Sequence, residues 1–240
     1  MGKTHLLSLV GKPSTGKYEE LYYQFPATPI RTSKQGFFGV PLFRWLTENK
    51  KVPIDSIIIL GTNQSIWSAI SQFVPRHKSP DIIELIKLGE EDNNGIEWED
   101  LTEFEEWLQR EFSNVAISLR FISKGQNEEE HIEILKMING LLGEGDHVYL
   151  DMTHGYRHLP VLIFGALSYL VQARGIKIKG IYYGQKEDLG DSAKVIELNA
   201  LGSFLGWAQA FSTYKHSGNL NPIVKEMKES SAGSNDPSLQ

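Results

Sequence analysis

Asp151-Met152-Thr153-His154-Gly155-Tyr156-Arg157 gathers a carboxylate, a hydroxyl, an imidazole, a glycine and a guanidinium into one short stretch. The chemistry such a set suits is the holding of a polar, anionic ligand. Gly155 lets another backbone come close. Thr153 and His154 offer neutral hydrogen bonds, and Arg157 offers a charged fork. A carboxylate such as Asp151 can instead accept amide bonds and organise the turn, shaping a site without touching its ligand. The ring of His154 is expected to enter a space shared with residues 11–17 and 61–65. His154 and His158 stand four apart, but Gly155 interrupts a helix there and no H-E-x-x-H is present, so no metal site is expected.

A second polar run, Gly11-Lys12-Pro13-Ser14-Thr15-Gly16-Lys17, has the G-x-x-x-x-G-K spacing of a phosphate cradle. Such a cradle needs Ser or Thr after the lysine to hold magnesium, and here that position is Tyr18. A nucleoside triphosphatase is therefore the distant alternative. In the milder reading Gly11, Ser14 and Thr15 supply amide and hydroxyl contacts to phosphate or ribose. Thr32 and Gln35 precede an apolar helical pattern, and neighbouring Ser33 has the type of a helix cap. Gly61, Thr62, Asn63 and Ser65 follow the most apolar strand, where Thr62 or Asn63 can be a cap or a ligand contact. Gly125 lies in one more polar loop, 123–127.

The elements around these loops explain why they would meet. Short, continuously apolar segments read as buried strands: 4–10, 56–60, 115–122, 148–150 and 178–183, with 194–198 following a turn. Helical spacing occupies 37–46, 64–73, 81–88, 100–112, 127–142 and 159–174 between them, and 201–214 after them. Residues 20–25 and 29–33 read as an extended pair. Strands alternating with helices imply a Rossmann-like α/β domain, a mostly parallel sheet with helices on both faces. Ligands of such sheets bind beyond the carboxyl ends of the strands. Loops 11–17, 61–65, 123–127 and 151–157 all follow strand ends, so they belong to one edge. The expected organisation is a domain over 1–200, a short helical C-terminal tail or the start of an effector over 201–229, and a small, polar, irregular segment over 230–240.

Composition narrows the function classes. The net charge is −6, so a broad basic footprint for long nucleic acid is not expected, and any nucleic-acid ligand should be short. There are no cysteines, which removes disulfides and thiolate metal sites and fits a reducing cytoplasm. The first apolar run has strand length, so neither a signal peptide nor a membrane span is expected. No G-x-S-x-G elbow supports a serine hydrolase, and no G-x-G-x-x-G after the first strand supports a dinucleotide enzyme. No cofactor is expected.

Asp-x-Thr-His-Gly followed by an aromatic and Arg resembles the signature of the CRISPR-associated D-x-T-H-G family. Further segments are similar in the same order: Leu7 to Gly11, Phe37-Phe38, Leu60-Gly61-Thr62 with Ser65 and Trp67, Gly125 with Glu128 to Glu130, and Tyr182-Tyr183-Gly184. The resemblance covers roughly residues 4 to 215. It implies a CARF domain, a Rossmann-like sensor of cyclic oligoadenylate in type III CRISPR antiviral defence. It implies a homodimer that binds a cyclic tetra- or hexa-adenylate across its axis. Related CARF domains are often followed by a ribonuclease domain marked by Arg, four to six residues, then His. No Arg and His here have that spacing, so the expectation is a sensor without an effector or one whose effector has been cut away. The alternative it implies is a metal-independent ring nuclease, in which a ribose 2′-hydroxyl attacks the adjacent phosphate and leaves a 2′,3′-cyclic phosphate. The catalytic candidates are then His154, Thr153 and Lys17, with Ser14 and Arg157 as contributors.

Overall fold

The computed structural model describes residues 2–26, 32–74, 81–92, 94–112, 115–188 and 190–233. Seven strands form one sheet among them: β1 (Thr4–Leu9), β2 (Tyr22–Gln24), β3 (Ser56–Gly61), β4 (Ala116–Phe121), β5 (His147–Asp151), β6 (Lys177–Lys186) and β7 (Ser192–Glu197). Their order is β2-β7-β6-β5-β1-β3-β4. The five strands from β6 to β4 are mutually parallel, β7 runs antiparallel to β6, and β2 runs parallel to β7. This is the expected mostly parallel α/β sheet. Connections leave β1 toward β3 on one side, while β5 lies on the other. The β1/β5 boundary is thus the topological switch, where a crevice opens at the carboxyl edge.

Period-two alternation assigns the strand residues to two cores. Leu6, Ile57 and Ile59 face one side, where α1 (Gly39–Arg44), a 3-10 helix (Trp67–Phe73), α2 (Asp81–Glu91) and α3 (Trp98–Glu111) pack. Leu7, Leu9, Ile58, Leu60, Val148 and Leu150 face the other, under α4 (Glu128–Leu141) and α5 (Leu159–Arg174). Each fully buried Leu or Ile of this kind contributes about 1.5–3 kcal/mol of transfer free energy. The outer edge of β4 is closed by side chains of α3. Glu105 accepts the amide of Leu119, and Gln109 Oε1 accepts that of Ile117 at 2.8 Å. An edge satisfied this way offers no template for a further strand.

Three elements differ from the sequence reading, each for a local reason. The helix expected from Phe37 begins at Gly39, because the amides of Gly36 and Phe37 donate to Gln72 Oε1 and that of Phe38 donates to His154 Nε2. The helix expected over 64–73 is a 3-10 helix from Trp67, since Thr62 and Ser65 are committed to a turn of their own. The extended pair survives as an antiparallel bridge between Leu21 and Gln35, with Thr32 Oγ1 accepting the amide of Tyr23 at 3.0 Å. Residues 27–31 of that pair lie outside the described residues.

Beyond β7 the chain forms α6 (Ala200–Ser217) and α7 (Asn221–Gly233). The second helix therefore enters the segment expected to be irregular, of which 234–240 lie outside the described residues. Gly218, at φ +69°, ends α6 as a left-handed cap. Among the described residues no helix is long and apolar enough to cross a membrane.

Candidate functional site

Two glycines form the floor of the crevice. A Cβ on Gly11 would stand 2.7 Å from both Cα and N of Gly155, so the loops after β1 and β5 touch backbone to backbone. Gly155 itself has φ +93°, a conformation that favours glycine. The contact holds residues 11–17 and 151–157 as one surface.

Asp151 supports that surface from beneath. Its carboxylate is fully buried and accepts hydrogen bonds from the hydroxyl of Ser8 and the amide of Thr153. Burial raises its pKa to about 6, against the lowering effect of these bonds and of the Thr153 hydroxyl. Thr153 Oγ1 also accepts the amide of Gly184 on β6 at 2.9 Å. Asp151 and Thr153 thus tie β1, β5 and β6 together. The carboxylate belongs to the framework, one of the two roles the sequence left open.

His154, expected in a space shared with residues 11–17 and 61–65, lies against the tyrosine that follows the first of these loops and against Phe37. Its ring packs 4.4 Å from the Tyr18 ring and 5.6 Å from that of Phe37, measured between centroids. Its Nε2 accepts the amide of Phe38 at 3.1 Å, which puts the proton on Nδ1. Part of the residue reaches the surface, but the imidazole sits among aromatic rings, and this desolvation lowers its pKa to about 3. A neutral imidazole fixed in this way organises the start of α1 and carries no proton to deliver near neutrality.

The loop after β1 is closed by its own tyrosine. The amide of Gly11 donates to Tyr18 Oη at 2.7 Å, and the Tyr18 hydroxyl donates to the Gly11 carbonyl at 2.9 Å. No helix follows Lys17, and the chain remains irregular until Leu21. The triphosphatase alternative is corrected on both counts: the Gly11 amide is already satisfied, and there is no helix N-terminus to receive a phosphate. Lys12 is anchored to the Glu90 carbonyl at 2.8 Å. Ser14, Thr15 and Lys17 stand exposed at the tip.

The remaining predicted residues divide between lining and scaffold. Ser65 is buried, receives the Thr62 amide at 2.9 Å and donates to the Val10 carbonyl at 3.0 Å. Gly61 is required because a Cβ there would meet Val10 Cγ1 at 2.4 Å. Asn63 donates to the Asn94 carbonyl at 2.6 Å. These residues build the turn after β3 and bind it to its neighbours. Thr32 pairs with β2. Gln35 has its backbone paired with Leu21 and its Nε2 near Ser33, while its Oε1 is buried with no hydrogen-bond partner. Gly125, at φ +66°, packs its loop under Leu159 and Leu162, and its carbonyl meets His131 Nε2 at 3.0 Å.

What is left for a ligand is cationic. Lys17 after β1, Lys124 after β4 and Arg157 after β5 have side chains with no hydrogen-bond or ion-pair partner among the described residues. The sequence reading missed Lys124 and Tyr18 as site residues, and Ser8 and Gly184 as supports. Ser8 did carry a signal, being a lone hydroxyl inside an apolar strand. Gly184 lay within a segment similar to the family pattern, but its amide contact with Thr153 is not visible in spacing. Among the described residues no three His, Asp or Glu side chains cluster as a metal site.

The chain is similar in sequence to a known protein over much of its length. The CRISPR-associated protein MJ1674 of Methanocaldococcus jannaschii is 25% identical over 198 residues, covering 73% of this chain and 31% of that protein. Enterococcus italicus Csm6, solved bound to cyclic hexa-2′-fluoro-hexa-dAMP, aligns over 94% of this chain and 51% of its own at 9% identity, with a TM-score of 0.44. The chain thus spans about a third of the first protein and half of the second. Residues 5–187 match the family described as the CARF domain of the CRISPR system endoribonuclease Csx1, and the chain belongs to that family.

Proposed function

We propose that this chain is a sensor of cyclic oligoadenylate in type III CRISPR defence, binding the ring at the carboxyl edge of its sheet. The observation that carries the reading is the set of three cations, Lys17, Lys124 and Arg157, unpaired among the described residues, on three strand-end loops of a protein whose net charge is −6. Cations without internal partners at one edge suit a compact polyanion better than a long duplex. Membership of the CARF family supports the same ligand class. A ring of four or six adenylates has two-fold symmetry, and a homodimer would present two copies of this edge to it. The outward side of α5 suits the dimer contact, since Val161 is 65% and Tyr169 58% exposed there. Calorimetric titration with cyclic tetra- and hexa-adenylate in EDTA tests the proposal. Tight binding of one intact ring is the expected result, and no heat with either ring would refute it.

Cleavage of the ring is the second reading. Ser14, Lys17 and Arg157 are free to orient and neutralise a phosphate during in-line attack. Thr153 is committed to Asp151 and Gly184, and His154 to Phe38. Lys17 therefore remains the strongest of the three catalytic candidates, as a charge stabiliser. Linear products bearing a 2′,3′-cyclic phosphate, recovered from the same EDTA incubation, would favour this reading over pure sensing.

A further inference from the structure

The Tyr18 hydroxyl satisfies both the donor and the acceptor of Gly11 and so closes residues 11–18 into a ring. Within that ring the Gly16 amide donates to the Pro13 carbonyl at 2.9 Å, and Thr15 Oγ1 donates to the Lys17 carbonyl at 2.9 Å. The root of the loop is therefore tied by two hydrogen bonds, while its tip, from Ser14 to Lys17, is exposed. The same tyrosine lies against His154, whose neighbour Gly155 touches Gly11. The two loops thus meet at two points, the Tyr18–His154 ring contact and the Gly11–Gly155 backbone contact.

Tyr18 could act in two ways. As an internal competitor it would vacate Gly11 so that a ligand oxygen could take the amide. As a positioning residue it would stay and set where Lys17 and Ser14 stand relative to Arg157. The packing of this half-buried ring decides between them. Desolvation raises the phenol well above its ordinary pKa, and the ring is packed against His154 and Phe37. Ejecting it would expose aromatic surface and open both bonds to Gly11, a cost that one ligand hydrogen bond does not offset.

We infer that Tyr18 is the positioning residue of the ligand site, acting through the closed loop to place the Lys17 ammonium and the Ser14 hydroxyl. This rests on the ligand reading above. Tyr18→Phe keeps the ring and removes only the hydroxyl. The variant is expected to bind the cyclic adenylate about 10-fold more weakly, because the half-buried loop root loses the two hydrogen bonds that close it. Its amides at 11–17 should exchange hydrogen faster in the free protein, while β1 and β3 keep their protection. The discriminating readout is a double-mutant cycle with Lys17→Ala. If Tyr18 works through the loop, Lys17→Ala costs clearly less in the Tyr18→Phe background than in the native protein. A purely structural tyrosine would lower the melting temperature and leave the two effects multiplicative. Full additivity, or native exchange at 11–17 in Tyr18→Phe, overturns the inference. Failure of the native protein to bind either ring is a separate outcome. It would refute the ligand reading, and the exchange measurement would still decide whether Tyr18 latches the loop.

Discussion

His154 makes a prediction that depends only on where its ring is packed. Its pKa in the folded protein is about 3, against 6.5 for an unperturbed histidine. The folded state therefore resists a proton that the unfolded chain accepts below pH 6.5. Stability is fully present above 6.5 and is lost as pH falls toward 3. Between pH 7 and pH 5 this amounts to about 2 kcal/mol, an upper figure because part of the residue reaches solvent. Asp151 has the opposite sign. Its pKa of about 6 exceeds the ordinary 3.8, so the folded state binds the proton more tightly and acidification over the same interval adds about 1 kcal/mol. Together the two cost the native protein about 0.6 kcal/mol on going from pH 7 to pH 5. His154→Gln keeps an acceptor within reach of the Phe38 amide and removes the titration. The variant is less stable at pH 7, but its balance reverses, because Asp151 alone then contributes a gain of about 1 kcal/mol at pH 5. Other titrating groups are common to both proteins and cancel in the difference. Urea unfolding at the two pH values measures it. The deficit of the variant should shrink by about 2 kcal/mol at pH 5. Parallel stability–pH curves would show that the ring titrates freely and that its aromatic cage is wrong.

Other perturbations test other parts of the structure. Arg157→Ala should weaken binding of the cyclic adenylate by about 1.5–3 kcal/mol, the range for hydrogen bonds to a charged group, with the loss shrinking as salt is added. An unchanged dissociation constant in a folded variant would remove Arg157 from the site. Gly11→Ala places a Cβ 2.7 Å from the Gly155 backbone and should cost about 2–3 kcal/mol in urea unfolding, as overpacking against immobile atoms does. Gly140→Ala, exposed within α4 with no atom near the added Cβ, should stabilise by about 0.5–1 kcal/mol. Equal effects of the two glycine variants would contradict the backbone contact. Val161→Glu combined with Tyr169→Glu should convert a dimer to a monomer in light scattering at micromolar concentration, and a persistent dimer would move the interface away from α5.

The strands were legible because their side chains answer to a single constraint. Leu6 to Val10 and Ile57 to Leu60 are buried on both faces, and continuous apolar runs of strand length have few other fates in a chain of this composition. The loops after them were legible as an edge for the same reason, since polar residues at the ends of parallel strands must gather on one side. What lay beyond the sequence was the division of labour within that edge. Thr62, Ser65, Asp151 and His154 have the types of ligand contacts, yet the last three are consumed by an amide or carbonyl and Thr62 Oγ1 pairs with the Ser65 hydroxyl. Which polar groups are consumed depends on pairings such as Ser65 with Val10 or Thr153 with Gly184, between residues far apart in sequence, and spacing does not encode them. Lys124 and Arg157 are the converse case. Their chemistry is plain in the sequence, and what marks them is that their side chains have no partner among the described residues, a property of the folded chain alone. Residue type therefore located the edge. Hydrogen-bond bookkeeping then separated its framework from the groups left free to meet a ligand.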